Sequence, residues 1–168
     1  MPALQRPVKF LCWVLFIVFM LLLTKNILFK KSPRYYKNYF RREYKHYKVK
    51  DGWASANTKP FSTIRLFYNS RRMNTEYKTN NLLGNLIGFV PLGLLLPLII
   101  PWFRDGFKIL LTGFLVSLGY EATQLLTGLG VFDVDDLILN TTGAFAGFLL
   151  FYLFKLIVTT SNTKKAPQ

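Results

Sequence analysis

The stretch LLGNLIGFVPLGLLLPLII, residues 82–100, decides how this chain folds. It is nineteen residues long and contains no charged side chain. An α-helix rises about 1.5 Å per residue, so a run of this length can cross the roughly 30 Å hydrocarbon core of a bilayer. A helix on the surface of a soluble bundle would carry charged residues on its outer face, and this run has none. The stretch therefore predicts a transmembrane helix.

Three further apolar runs occupy residues 10–29, 109–126 and 137–158. The first follows Arg6 and Lys9, as a signal peptide would, but it leads directly into Lys30 and Lys31 without a small-residue cleavage site. We therefore expect a retained helix there. The four runs together predict an all-α integral membrane protein of about four transmembrane helices, with a long basic loop between the first and the second.

That loop, residues 30–80, has fourteen Lys and Arg against three Asp and Glu, and so it carries eleven of the fourteen net positive charges. Tyrosines alternate with cations in YYKNYFRREYKHYKVK, residues 35–50. This pattern suits an amphipathic helix on an anionic bilayer surface, a nucleic-acid patch, or a solvated loop beside lipid. We expect anionic lipid headgroups as its partner, and no nucleic acid.

The composition divides the chain into an N-terminal transmembrane helix (1–29), the basic aromatic-rich loop (30–80), a three-helix transmembrane core (81–158) and a polar tail (159–168). Four spans place the basic loop and the short loop 127–136 on one side of the membrane. That side carries fourteen Lys and Arg, and the opposite side seven. The positive-inside rule favours a cytoplasmic basic loop, but every segment on the opposite side is basic too, so the orientation stays open.

Single residues exclude several kinds of site. Cys12 is the only cysteine and His46 the only histidine. One cysteine forms no intramolecular disulfide, and one histidine cannot build a multi-histidine metal site from this chain. We therefore expect no cofactor.

Small and polar residues recur at helical spacing in three of the runs. In the third run, the spacings of four, four and three put Gly113, Ser117, Glu121 and Gln124 on one face. Comparable stripes in the second and fourth runs predict close helix packing through small residues, with amides as interhelical hydrogen-bonding groups. Their members are Gly84, Asn85 and Gly88 in the second run, and Asn140, Gly143 or Ala144, and Gly147 in the fourth.

Glu121 needs a separate explanation, because an ionisable group within a span indicates a functional site. Asp133, Asp135 and Asp136 follow it at the start of the fourth run, where Asp135 or Asp136 could cap the helix. Alternatively, these four carboxylates could bind a divalent metal, although the run DVDD lacks the features of an EF-hand loop. They could instead line a pocket for a hydroxyl- or amide-rich ligand, with Arg or Lys of the basic loop as counter-charge.

Several motifs are similar to one known family. They are Pro60-Phe61 with Thr63-Ile64, the run NLLGNLIGFVPLGLLLP (81–97), the set Ser117, Glu121 and Gln124, and the run VFDVDDLILNTTGAFAG (131–147). Over residues 57–153 the chain resembles the VanZ-like membrane proteins. One departure is visible, because the family's usual Asn-Leu-Ile-Pro-Phe reads Asn-Thr-Lys-Pro-Phe at residues 57–61. The resemblance implies a polar cluster of Asn85, Ser117, Glu121, Gln124, Asp133, Asp135, Asp136 and Asn140.

The resemblance also implies a function at the cell envelope. VanZ itself is associated with low-level resistance to the glycopeptide teicoplanin. We accordingly expect a multi-pass protein of the bacterial plasma membrane that binds a polar headgroup, a cell-wall precursor or a glycopeptide through the polar cluster. We expect a binding protein rather than an enzyme. The alternative is a membrane enzyme for lipid-linked or phosphorylated substrates, with a divalent metal held by Glu121, Asp133, Asp135 and Asp136.

Overall fold

The computed structural model describes residues 5–69 and 75–163. Within these ranges the chain forms eight α-helices and no strand, apart from one isolated bridge between Asn57 and Asp133. The helices are α1 (Arg6–Leu28), α2 (Pro33–Asn38), α3 (Val49–Ala54), α4 (Ser62–Asn69), α5 (Thr75–Gly88), α6 (Val90–Ile99), α7 (Gly106–Thr127) and α8 (Val134–Thr163).

Four stretches of the described chain are long and apolar enough to cross a membrane. The second is built from the end of α5 together with α6, and each of the others from a single helix. Their bounds agree with the four predicted runs to within a few residues, and the predicted all-α membrane fold is confirmed. The stretches are Arg6–Leu28, Asn81–Ile99, Gly106–Thr127 and Val134–Ile157.

The second span is broken in its middle, which its uniform hydropathy did not predict. α5 ends at Gly88, and α6 begins at Val90 with Pro91 in its first turn. Proline has no backbone N–H and disfavours helical geometry in the residue before it, so the hydrogen-bond ladder is interrupted here. The N–H of Leu92 donates to the carbonyl of Phe89 at 3.1 Å, and this bond forms the turn that connects α5 to α6.

α8 lies at the centre of the bundle and packs against α5, α6 and α7. Backbone approaches backbone at three glycines, since a Cβ on Gly143, Gly147 or Gly93 would overlap a carbonyl of the facing helix. Gly143 lies against the carbonyl of Leu86, and Gly93 against that of Ala144. The predicted packing through small residues is confirmed at Gly143 and Gly147, whereas it is wrong at Gly84, where no other group lies within 4 Å of a Cβ position.

The predicted face of α7 is also confirmed, because Gly113, Ser117, Glu121 and Gln124 are all buried. Below this polar face the bundle has an apolar core to which α6, α7 and α8 all contribute. α1 packs on α6 and α7 at the edge of the bundle, and its outer side chains are exposed in the isolated chain, as expected of a lipid-facing helix. The core consists of Leu23, Phe89, Leu92, Leu96, Ile109, Ala144, Phe148 and Phe151.

Residues 30–69 form short helices tied to one end of the bundle. After α2 the chain makes a wider helical turn (Tyr39–Glu43) and a 3₁₀ turn (Tyr44–His46) before α3 and α4. The hydroxyl of Tyr39 donates to the carbonyl of Thr127 at 2.9 Å, and that of Tyr47 to Leu125 at 2.6 Å. These bonds hold the described part of the basic segment against the end of α7 that leads into loop 127–136, and a shared side of the membrane stays a prediction. Contact of this segment with lipid stays a prediction.

The predictions for the two chain ends and for the stretch before α5 concern residues that the structure describes only in part. α8 continues as helix to Thr163, into the segment predicted as a polar tail. Residues 164–168 of that tail, residues 1–4 of the N-terminal segment and residues 70–74 of the basic loop lie outside the described residues.

The sidedness can be tested with introduced cysteines in a Cys12→Ser background. We expect Lys48→Cys and Val131→Cys to react with a membrane-impermeant thiol reagent from the same side, and Trp102→Cys from the opposite side, since all three positions are exposed. Val131 is preferred to Gly130, where a Cβ would meet the side chain of Gln124. Labelling of positions 48 and 131 from opposite sides would contradict the four-span arrangement. The absolute side of labelling also gives the orientation in the cell.

Candidate functional site

Asp135 caps a helix that is distant from it in sequence. Its side chain is fully buried, and its two oxygens accept three backbone N–H groups at the start of α4. The N–H of Thr63 lies 2.7 Å and that of Ile64 3.1 Å from Oδ2, while the N–H of Phe61 donates to Oδ1. A carboxylate at this place satisfies backbone donors that the helix itself leaves free.

Asp133 caps the helix that it precedes, α8. Its Oδ1 accepts the N–H of Asp135 at 2.8 Å and the amide of Asn57 at 2.7 Å, and its Oδ2 accepts the hydroxyl of Thr63 at 2.6 Å. The prediction that Asp135 or Asp136 caps this helix is wrong. α8 begins at Val134, so Asp133 occupies the capping position, and the carboxylate of Asp135, two residues on, binds α4 instead.

Together, Asn57, Thr63, Asp133 and Asp135 form what we call the clasp, because they fasten the start of α4 to the start of α8. The backbone completes it, with the N–H of Asn57 donating to Phe132 at 2.8 Å and that of Val134 to Asn57 at 3.0 Å. The family departure at residues 58 and 59 falls on exposed side chains outside the clasp.

Glu121 and Asp136 face the other way, into the bundle. Glu121 is 2% exposed, and its Oε2 accepts the N–H of Asp133 at 2.8 Å. Asp136 is half-buried, and its Oδ1 accepts the side-chain amide of Asn85 on α5. Glu121 lies six residues before the end of α7, about 9 Å into the span by helical rise.

These two carboxylates border a cavity of about 450 Å³. Its walls come from the end of α1 with the residues that follow it, and from α5, α7 and α8. The apolar part of the lining is Leu23, Ile27, Gly88 and Phe89 with Gly84, and the polar part is Asn26, Lys30, Asn81, Asn85, Glu121, Gln124, Asp136 and Asn140. The cavity therefore combines an apolar wall with carboxylates, amides and one cation.

Asn140 carries an unpaired polar atom at this cavity. Its Nδ2 donates to the hydroxyl of Ser117 at 2.8 Å, whereas its Oδ1 is buried and has no hydrogen-bond partner among the described residues. Gln124 is anchored by its Nε2, which donates to the carbonyl of Ile27 at 3.1 Å. Buried polar atoms are normally paired, so an unpaired oxygen at a cavity indicates a missing donor.

The predicted polar cluster thus separates into two groups. Asn85, Glu121, Gln124, Asp136 and Asn140 line the cavity, with Ser117 bonded to Asn140, whereas Asp133 and Asp135 belong to the clasp. Sequence reasoning did not single out Asn26, Asn81 or the clasp role of Asn57 and Thr63. It expected a cation of the basic loop at the pocket but did not identify Lys30. For Asn26 a signal existed, because it interrupts the first apolar run.

The four carboxylates of the metal alternative do not form a metal-ligand cluster in the described part of the chain. Within residues 5–69 and 75–163, no three His, Cys, Asp or Glu side chains come together in a way that could hold a metal ion. Two of the four carboxylates proposed as ligands already accept several hydrogen bonds in the clasp.

The clasp generates a test of stability. Asp135→Ala should weaken the start of α4 by roughly 2–3 kcal/mol, because it leaves buried N–H groups without acceptors. Hydrogen exchange at Thr63 and Ile64 in detergent-solubilised protein should then accelerate by about 30- to 150-fold. Asp105→Ala is the matched control, since Asp105 caps α7 on the other side of the bundle. Equal exchange rates in the wild type and Asp135→Ala would show that Asp135 does not hold α4.

Comparison with known proteins identifies a family for this chain. A search of curated proteins and a search of solved structures each find no match. The VanZ/LLP1 family model matches residues 11–155, which include the four candidate spans almost completely, the clasp and every side chain that lines the cavity. The chain is therefore a membrane protein that belongs to the VanZ/LLP1 family.

Proposed function

We propose that this VanZ-like protein resides in the bacterial plasma membrane and binds the polar group of an envelope molecule in the cavity between α1, α5, α7 and α8. The carrying observation is the cavity itself, in which buried carboxylate and amide side chains border an apolar wall at membrane depth. Polar groups at that depth are costly unless they have partners, and so they are expected to serve a ligand.

The size of the cavity limits what can enter. A volume of about 450 Å³ lies within the range of pockets for small molecules. A lipid headgroup or the terminal part of a cell-wall precursor fits such a space, whereas a complete glycopeptide antibiotic is much larger. In this proposal, the apolar remainder of the ligand stays in the bilayer, beside the exposed Leu83 and Ile87 of α5.

The access route is best marked by Gly84 on α5. This glycine is exposed, lines the cavity, and has no other group within 4 Å of the position where a Cβ would stand. A Cβ at Gly84 would therefore meet no other group, and we expect a larger side chain there to reduce the space for a ligand. Gly119 on α7 has equally open surroundings but does not line the cavity.

A contribution to glycopeptide resistance would follow if the bound envelope molecule is one on which the antibiotic depends. A binding role is supported by the apolar wall and by the carboxylate and amide side chains of the cavity lining. We therefore propose binding rather than turnover as the basis of any resistance.

The proposal is tested by filling the cavity. A glycopeptide-susceptible bacterium that expresses the wild-type chain should become less susceptible to teicoplanin, and Gly84→Leu should abolish that change because leucine occupies the ligand space. Gly119→Leu should behave like the wild type. The measurement is the minimal inhibitory concentration at matched amounts of protein in the membrane.

Two outcomes would contradict the proposal at different levels. Unchanged susceptibility with the wild-type chain present would remove the resistance role and leave ligand binding to be measured directly. Full activity of Gly84→Leu at normal membrane levels would show that the cavity is not the functional site.

A further inference from the structure

We propose that the cavity selects a primary ammonium group, such as that of an aminophospholipid headgroup or of a soluble amine. This inference rests on the proposed function, because it names the chemistry of the ligand in the same cavity. It is drawn from the acceptor atoms that the protein leaves towards the cavity and from the balance of charges around it.

Three of the five amide side chains that line the cavity each donate one N–H within the protein. The amide nitrogen of Asn85 donates to Asp136, that of Gln124 to the carbonyl of Ile27, and that of Asn140 to Ser117. A side-chain amide has one carbonyl oxygen and two N–H donors, and each of these bonds uses one donor, so the bond leaves the oxygen and one N–H of the amide without an assigned partner.

Asn140 makes this argument specific. It is 2% exposed, lines the cavity, and holds its Oδ1 without a hydrogen-bond partner in the described part of the chain. Leaving a buried acceptor unpaired costs more than a typical hydrogen bond contributes. A ligand that donates to Oδ1 would remove that cost, and a ligand with acceptors only would not.

The carboxylates offer two more acceptors. The hydrogen bonds found among the described residues engage Oε2 of Glu121 and Oδ1 of Asp136, which leaves Oε1 and Oδ2 for a ligand. Together with the buried Oδ1 of Asn140, three lining residues on α7 and α8 then each have one oxygen without a donor among the described residues. A primary ammonium has three N–H donors and no acceptor, and so its hydrogen-bonding capacity matches this set.

The charges point in the same direction. Glu121 and Asp136 face the cavity with Lys30 as the one cation of the lining within the described residues. When both carboxylates are ionised, the lining carries a net negative charge, and a cationic ligand would neutralise it. Lys30 follows the end of α1, where it could pair with the phosphate of a lipid whose ammonium lies between the carboxylates.

The experiment compares three phospholipids that differ at the nitrogen. Purified full-length protein is placed in phosphatidylcholine nanodiscs with added phosphatidylethanolamine or N-acetylated phosphatidylethanolamine, and retained lipid is measured by native mass spectrometry. We expect phosphatidylethanolamine to be retained about 10- to 100-fold more strongly than either other lipid. The N-acetyl form lacks the charge, and phosphatidylcholine keeps the charge but has no N–H donor.

Variants assign the preference to the cavity. Glu121→Gln and Asp136→Asn should each lower the preference for phosphatidylethanolamine by about tenfold, because one charged acceptor is lost. Lys31→Gln, a loss of charge at a basic residue that does not line the cavity, should leave the ratio between the three lipids unchanged. Gly84→Leu should reduce retention of all three lipids, and Gly119→Leu should retain the wild-type pattern. Normal membrane accumulation and a single size-exclusion peak establish that each variant is folded.

The outcomes separate the two proposals. Equal retention of the three lipids, lost in Gly84→Leu, would overturn the selection of ammonium while supporting a binding cavity. Retention of phosphatidylethanolamine that is unaffected by Gly84→Leu would overturn both. If the preference is found, competition by phosphoethanolamine supports the proposal with a soluble amine as the source, and absence of competition supports it with a lipid headgroup.

Discussion

The packing of the basic segment on the helical bundle depends on the hydrogen bonds of one buried carboxylate, that of Asp135. Asp135 is enclosed within the protein, and it is stabilised there by accepting backbone N–H groups of α4, which lies more than seventy residues earlier in the chain. Asp133 completes the clasp by capping α8 and binding Asn57 and Thr63. An unpaired buried carboxylate would be strongly unfavourable, so this pairing holds the basic segment against the start of α8.

The clasp also determines which carboxylates are available for a ligand. Because Asp133 and Asp135 are occupied by the α4 segment, the cavity receives only Glu121 and Asp136 of the four. Glu121 is linked to the clasp through the N–H of Asp133, and this bond orients its carboxylate at the cavity wall. The clasp and the cavity residues are therefore adjacent and share one hydrogen-bond network. A binding role is proposed only for the residues that line the cavity.

Much of the membrane architecture could be predicted because it follows from local patterns. Apolar runs of sufficient length predicted the four spans, and helical periodicity predicted the buried face of α7 from Gly113 to Gln124. The break between α5 and α6 was missed because hydropathy does not register a backbone interruption, although Pro91 was visible in the sequence. The cap of α8 was assigned to the wrong aspartate, because a shift of one or two residues in the helix start changes which side chain reaches the free N–H groups.

The sequence by itself determined that this is a four-span helical membrane protein with ionisable groups at one end of its bundle, since length, hydropathy and spacing are properties of neighbouring residues. Only the tertiary structure decided what each polar residue does. Asp135 and Asp136 are consecutive in the chain, yet one caps α4 and the other lines the cavity, because successive residues of a helix point in directions about 100° apart. The partners that distinguish them, Thr63 and Asn85, come from segments that only folding brings to α8.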